Sequence, residues 1–322
     1  MRFATLDLGS NTFLCLIAEV TNQGQIVLLE DAVEVVRLGQ GVAQNGFFAE
    51  EALLRASSCL KRFADLIQKH KPDVVLGAAT AAARSVSNGI ELVKIAQALG
   101  IPLEIISGDR EAELTFAGAI SGSQDRNPKP DIVESSSRLS LVIDIGGGST
   151  EIILGNNKQI LYKKSFNVGV VKLRERHIKQ FPVPPETQSE LNNEIKTVFN
   201  ELQSLHFDKP SIDVIAVAGT PTTLAAAAIG KFDPNKIDGF TFTLFQLKEW
   251  MNRLSPLIPS EIERQWCVPS GRSDVLFVGV MILIGVLEAL ELPTLKVSTR
   301  GLRYGLLFEL WKAQTQKSLN QN

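Results

Sequence analysis

Apolar runs broken by glycine turns recur along this chain, and two of them share a pattern. In the first, Phe3-Ala4-Thr5-Leu6 reads as a buried strand that ends at Asp7. Leu8, Gly9 and the small polar residues Ser10-Asn11-Thr12 follow, and Phe13 to Ala18 returns as a second strand. In the second, Leu141-Val142-Ile143 ends at Asp144, Gly146-Gly147-Gly148 turn, Ser149-Thr150-Glu151 follow, and Ile152-Ile153-Leu154 leads away. Each copy continues through a polar turn into a third strand, so the pattern predicts an internal duplication of a hairpin-led domain.

Helical spacing places Ala52, Ala56, Cys59, Phe63 and Leu66 on one face of a helix over 49–69. Val74 to Ala78 is a strand, with Thr80-Ala81-Ala82-Ala83-Arg84 at its end. Asn88 is a candidate cap for a helix over 89–99, stopped by Gly100 and Pro102. Leu103 to Ile106 is a strand, and Ser107 to Glu111 opens a helix running to about Ile120. Residues 121–138 are rich in Ser, Asp and Pro and read as a linker or surface loop. Further helices are expected near 187–203, over 244–254 and over Gly301 to Lys312, with a frayed polar tail from Ala313. Val214 to Gly219 is a strand, Thr220 or Thr222 caps the helix after it, and Val297-Ser298-Thr299 is a last short strand. Strands alternating with helices after a meander indicate a mixed α/β sheet in each half.

The composition suits two globular domains: 322 residues, 44% hydrophobic and 21% charged. A net charge of −2 offers no global attraction for nucleic acid or an anionic membrane, so any anion site must be local. Cys15, Cys59 and Cys267 show no metal-ligand or disulfide spacing, which suits a reducing cytoplasm, and no signal peptide pattern opens the chain. Val275 to Leu287, the longest apolar run, is shorter than a membrane span and reads as a buried core helix. His70, His177 and His206 lack ligand spacing and are expected to be solvated. Lys163, Lys164, Lys172, Arg174 and Arg176 form a basic cluster that either guides a polyanion or is a solvated face.

Both glycine turns are candidate phosphate cradles, because successive backbone N–H groups in such turns converge on anions. Ser10, Asn11 and Thr12 are donors in one; Gly146, Gly147, Gly148 and Ser149 are donors in the other. Asp144 can hold a divalent metal beside the phosphate, and Asp7 either shares that duty or is a hydrogen-bonded strand-end carboxylate. Arg84 is either a phosphate clamp or a salt-bridge partner, and Glu111 on residue type alone is a first-turn acid favoured by its helix dipole.

These motifs, together with Leu38-Gly39-Gln40-Gly41, Gly219-Thr220-Pro221-Thr222-Thr223-Leu224, Gly271-Arg272-Ser273-Asp274 and Gly301-Leu302-Arg303, resemble the exopolyphosphatase and guanosine-pentaphosphate phosphohydrolase family in order and over nearly the whole chain. The resemblance implies duplicated actin-like ATPase (ribonuclease-H-like) α/β domains with an interdomain cleft. Domain bounds follow at 1–125 and 126–300, with a C-terminal helix, 301–322, packing back on the first domain. It implies a Mg2+-dependent (or other divalent cation) hydrolase of inorganic polyphosphate or guanosine pentaphosphate, with Glu111 as the base, Asp144 and Glu151 as essential acids that hold metal, and a homodimer. The chain departs from the family at Asp238, where a histidine is common, and it stops after the second domain, which leaves short polyphosphate or guanosine pentaphosphate as plausible preferred substrates. An ATP-dependent kinase of the same architecture and a non-catalytic guanosine tetra- or pentaphosphate sensor remain as alternatives.

Overall fold

The computed structural model describes residues 1–21, 24–121, 139–207 and 212–319. They form two compact units, Met1–Gly118 with Gly301–Asn322, and Ala119–Arg300. Of the expected linker at 121–138, Ser121 ends the helix Gly108–Ser121 and the rest lies outside the described residues.

In the first unit β1 (Arg2–Leu8), β2 (Thr12–Val20), β3 (Ile26–Val35), β4 (Val74–Ala79) and β5 (Leu103–Ile105) form a sheet in the order β3-β2-β1-β4-β5. The first three strands are an antiparallel meander, and β4 and β5 add in parallel. In the second unit β6 (Ser140–Ile145), β7 (Thr150–Gly155), β8 (Ile160–Phe166), β9 (Asp213–Val217), β10 (Thr241–Thr243) and β11 (Thr294–Val297) take the order β10-β11-β9-β6-β7-β8. Read from β8 inward, the meander and the parallel β6-β9-β11 run repeat the first sheet, and β10 is an antiparallel addition. This is the duplicated actin-like architecture. Leu141, Val142 and Ile143 form a continuous apolar run because both faces of that central strand are covered, and all three are fully buried.

The helix Ser273–Leu290 is apolar on every side, and its first eighteen-residue window is long and hydrophobic enough for a bilayer. It is 89% buried within the second unit, so its composition is that of a core helix. In the first unit the helix Leu302–Leu319 brings Tyr304 and Leu307 onto Phe3, Leu16, Ala18 and Val20 of the sheet. It continues past Ala313, where a frayed tail was expected, because Trp311 packs with the same cluster and its ring meets Gly24.

Three local expectations need correction. Asn88 precedes the helix Gly89–Ala98 without capping it; its side chain instead accepts from the Phe48 N–H (2.8 Å) and donates to the Phe48 carbonyl (3.0 Å). The helix Gly219–Ile229 has no side-chain cap; the Thr222 hydroxyl donates to the Ala218 carbonyl (2.8 Å) within the helix itself. The last strand ends at Val297, and the Ser298 and Thr299 hydroxyls and the Thr299 N–H all donate to Asp238 Oδ1.

Arg303 is a structural residue. Its Nε and Nη2 each donate to one oxygen of Asp31 at 3.0 Å, with the guanidinium buried and the Thr5 hydroxyl bonded to its carbonyl. Truncating Asp31 leaves that cation without its fork, so Asp31→Ala is expected to cost about 3 kcal/mol, read as a lower urea midpoint at unchanged slope.

Candidate active site

Asp7 is the last residue but one of β1, and the turn beyond the strand is held by its own backbone: the Gly9 N–H donates to the Thr12 carbonyl (3.1 Å). The neighbouring segment clamps the turn, since the Gly39 N–H donates to Ser10 (2.7 Å) and the Val36 and Arg37 N–H groups to Asn11 (2.9 Å each). Ser10, Asn11 and Thr12 are thereby fixed as one turn.

Glu111 stands in the first turn of the helix Gly108–Ser121. Its N–H donates to the Ser107 carbonyl (2.9 Å), and the Ser107 hydroxyl accepts from the Arg110 N–H (3.2 Å). The carboxylate is 7% exposed and accepts from Arg84 Nη1 at 2.7 Å, with Thr80 as a further donor. Burial holds its pKa above the usual carboxylate range, against the opposing pull of Arg84. Asp7 shares this setting: burial and then the charge of Glu111 push its pKa up to about 7, with Arg303 opposing. The first unit thus brings Asp7, Arg84 and Glu111 into one electrostatic group.

A carboxyl raised from 3.8 to about 7 holds its proton in the folded chain through a window where the unfolded chain has released it. Stability therefore falls as pH rises through that window, and the loss is complete above pH 7. Asp7→Asn is expected to raise stability in chelator by about 1–3 kcal/mol at pH 8 and by much less at pH 4, as read by thermal melts at the two values.

In the second unit Asp144 and Glu151 are direct cross-strand partners on β6 and β7, and Ser165 of β8 is the next partner in the row. Directly opposed residues share a sheet face, so the two carboxylates stand side by side. The Ser165 hydroxyl donates to Glu151 Oε1 at 2.6 Å. The Gly146 N–H donates to the Ser149 carbonyl (2.9 Å), matching the first turn, and the Val170 and Val171 N–H groups hold the Gly146 and Gly147 carbonyls from behind (3.0 and 2.9 Å). A Cβ on Gly169 would lie 2.4 Å from the Gly147 oxygen, so only glycine permits this approach.

The two halves differ in one telling position. Leu14 stands opposite Asp7, whereas Glu151 stands opposite Asp144. Two like charges directly opposed in a sheet repel each other, and a cation against them relieves that repulsion. Mg2+ takes one or two carboxylates and completes its shell with waters and phosphate oxygens, so this pair fits it. Among the described residues no group of three or more His, Cys, Asp or Glu forms a closed cage.

Other candidates resolve into structure. His177 pairs with Glu194 (2.6 Å) and His70 with Glu30 (3.6 Å), so neither is simply solvated. In the basic cluster Lys164 pairs with Glu201, Arg176 with Glu194 and Arg174 with Asp274, which offsets much of its field. Arg272 is a buried residue that sequence reasoning left unresolved. Its Nη1 donates to Thr223 Oγ1 (2.8 Å) beside Gly219, and burial lowers its pKa to about 10.

This site can be set beside known proteins. A putative exopolyphosphatase of Haemophilus influenzae is 28% identical over 97% of this chain and 92% of its own length. Exopolyphosphatase 2 of Mycobacterium tuberculosis is 31% identical over 88% of each chain. A bifunctional 3-dehydroquinate synthase/phosphatase of Fusobacterium nucleatum is 32% identical, and this chain spans 46% of its length. Among solved structures, an exopolyphosphatase from Cytophaga hutchinsonii superposes with a TM-score of 0.85 at 29% identity, over 97% of this chain and 98% of that one. The pattern of the Ppx/GppA phosphatase family runs from residue 16 to residue 314, through Arg84, Glu111, the Gly146–Gly148 turn and Glu151, and the chain belongs to that family.

Proposed function

We propose that this chain is a phosphohydrolase that releases the terminal phosphate of inorganic polyphosphate, of guanosine pentaphosphate, or of both. The observation that carries the reading is the placement of Glu111: a buried carboxylate of raised pKa, in the first turn of a helix, held at one oxygen by Arg84. A carboxylate so placed is a stronger base than one in water.

Water attacks the terminal phosphorus, the bridging P–O bond breaks, and the shortened anion leaves with that bond's electron pair. Glu111 takes the proton of the attacking water. Each glycine turn is a set of phosphate donors in its own unit, Ser10, Asn11 and Thr12 in one and Gly146, Gly147, Gly148 and Ser149 in the other, and Arg84 adds a cation beside Glu111. Asp144 and Glu151 would hold a divalent cation such as Mg2+, and Asp7 is the candidate metal carboxylate of the first unit; a bound cation offsets charge on the phosphate chain. The names of the relatives support this substrate class: two are exopolyphosphatases, and one from Pseudoalteromonas atlantica, of which this chain spans 59%, is a guanosine-5'-triphosphate,3'-diphosphate pyrophosphatase. Free thiols at Cys15, Cys59 and Cys267 suit a reducing cytoplasm.

Phosphate release should be measured with Mg2+ on long polyphosphate, short polyphosphate, guanosine pentaphosphate and ATP. Release from at least one of the first three, lost in EDTA, is the expected result. Release from none of them, with binding intact, would leave only a binding protein.

A further inference from the structure

Arg84 touches Glu111 in a way that its duty as a phosphate clamp does not require. One nitrogen, Nη1, donates both to Glu111 Oε2 (2.7 Å) and to the backbone carbonyl of Ile106 (2.8 Å). Ile106 is itself tied to the end of β4 by its N–H, which donates to the Ala79 carbonyl (3.0 Å). Arg84 belongs to the single helical turn Ala81–Arg84 that leaves the same strand end, with its N–H donating to the Thr80 carbonyl (3.2 Å). Arg84 is therefore held at its backbone by Thr80 and at Nη1 by the Ile106 carbonyl, and the same Nη1 fixes one oxygen of the carboxylate. Its opposite edge, Nε and Nη2, is engaged by neither of these acceptors, and the side chain retains 26% exposure.

We infer that Arg84 is a positioning residue for Glu111 as well as a phosphate ligand: Nη1 aims the carboxylate while the Nε–Nη2 edge takes the terminal phosphate. One planar, rigid group would then set the separation between base and phosphorus, which is where misplacement by a fraction of an ångström is most costly to rate. A guanidinium can serve two anions at fixed geometry through separate edges; an ammonium is a point charge and cannot. The inference rests on the hydrolase reading, in which Glu111 is the base.

The test compares Arg84→Lys with the parent enzyme, and Arg84→Lys/Glu111→Gln with Glu111→Gln, on Mg2+ and short polyphosphate. Charge is kept, so KM should stay within about threefold, while kcat falls about thirtyfold or more. In the Glu111→Gln background the same change should lower kcat less than threefold, because there is no carboxylate left to aim. Added guanidinium ion should restore part of the kcat of Arg84→Ala, and methylammonium should not. A ligand of phosphate alone would show the same loss, in KM or in kcat, in both backgrounds, and a merely structural residue would show equal losses in both with a lower melting temperature. Either result overturns the inference. If the double variant falls to the blank, the pH profile of Arg84→Lys decides: loss of a group bonded to Glu111 moves the rising limb set by that carboxylate, whereas loss of a ligand of phosphate alone leaves the limb in place, which would overturn the inference. If the parent enzyme itself releases no phosphate, the hydrolase reading fails first, and that outcome is seen before any variant is made.

Discussion

Glu111→Gln is expected to lower the rate of phosphate release by about 10³-fold while leaving the affinity for substrate within a few-fold. The argument is chemical. Gln keeps the size and hydrogen-bonding reach of the side chain but cannot accept the proton of water, and positioned general bases contribute roughly 10²–10⁴. The carboxylate also sits in a buried setting that raises its basicity, against the opposing pull of its helix N-terminus. An amide leaves Arg84 near its place through the Ile106 carbonyl, so the fold should hold. Single-turnover release from labelled polyphosphate, with the melting temperature taken on the same sample, checks both halves. A loss below tenfold would move the base elsewhere. Because the raised pKa must be passed before the base is charged, activity in the parent should climb with pH through a point above the ordinary carboxylate range, and it should not fall again on that account at higher pH.

The largest loss of stability is expected at Gly305. A Cβ there would stand 1.9 Å from the Leu114 carbonyl oxygen, and one on Gly118 would stand 2.0 Å from the Gly301 oxygen. The helices Gly108–Ser121 and Leu302–Leu319 thus meet backbone to backbone at two glycines within the first unit. The obstacles are main-chain atoms, which cannot rotate away as a side-chain tip can. Gly305→Ala must push the helices apart, and overpacking of this kind costs about 3 kcal/mol or more. The double variant with Gly118→Ala should cost less than the sum, since one displacement accommodates both methyls. The helix Gly108–Ser121, one of the two being displaced, carries Glu111 in its first turn, so kcat at a temperature where the variant is still folded should fall several-fold. Urea midpoints together with kcat at 20 °C would show whether stability and rate move as one.

Much of this was legible before any coordinates. The duplication was visible because each copy needs the same order of strand, acid and glycine turn, and Asp7 and Asp144 occupy matching strand ends. The core helix Ser273–Leu290 was legible because its uninterrupted apolar run, Val275 to Leu287, is shorter than a membrane span and is bounded by Asp274 and Glu288. The misses were tertiary. Asn88 has the chemistry of a cap, but Phe48, forty residues earlier, offered it two backbone partners. The strand Thr241–Thr243 is too short for alternation to show and exists through its pairing with β11. The polar stretch after Ala313 stays helical because Trp311, on the preceding turn, has a place to dock. Arg84 showed its charge in the sequence but not its partner, because Glu111 is reached only when β4 and β5 bring their ends together.

The first unit is assembled from the two ends of the chain, and this sets an order on its making. A ribosome that has finished Gly118 must add roughly 180 residues before the helix Leu302–Leu319 even begins. At 5–20 residues per second that is about 10–35 s. Throughout this interval the nascent sheet carries Phe3, Leu16 and Val20 with no helix to cover them. The second unit, continuous in sequence, is free to fold in the meantime. The older half of the polypeptide is thus the later to mature, and shielding of that bare face by chaperones during synthesis should matter more to the yield of this protein than anything that happens in its second half.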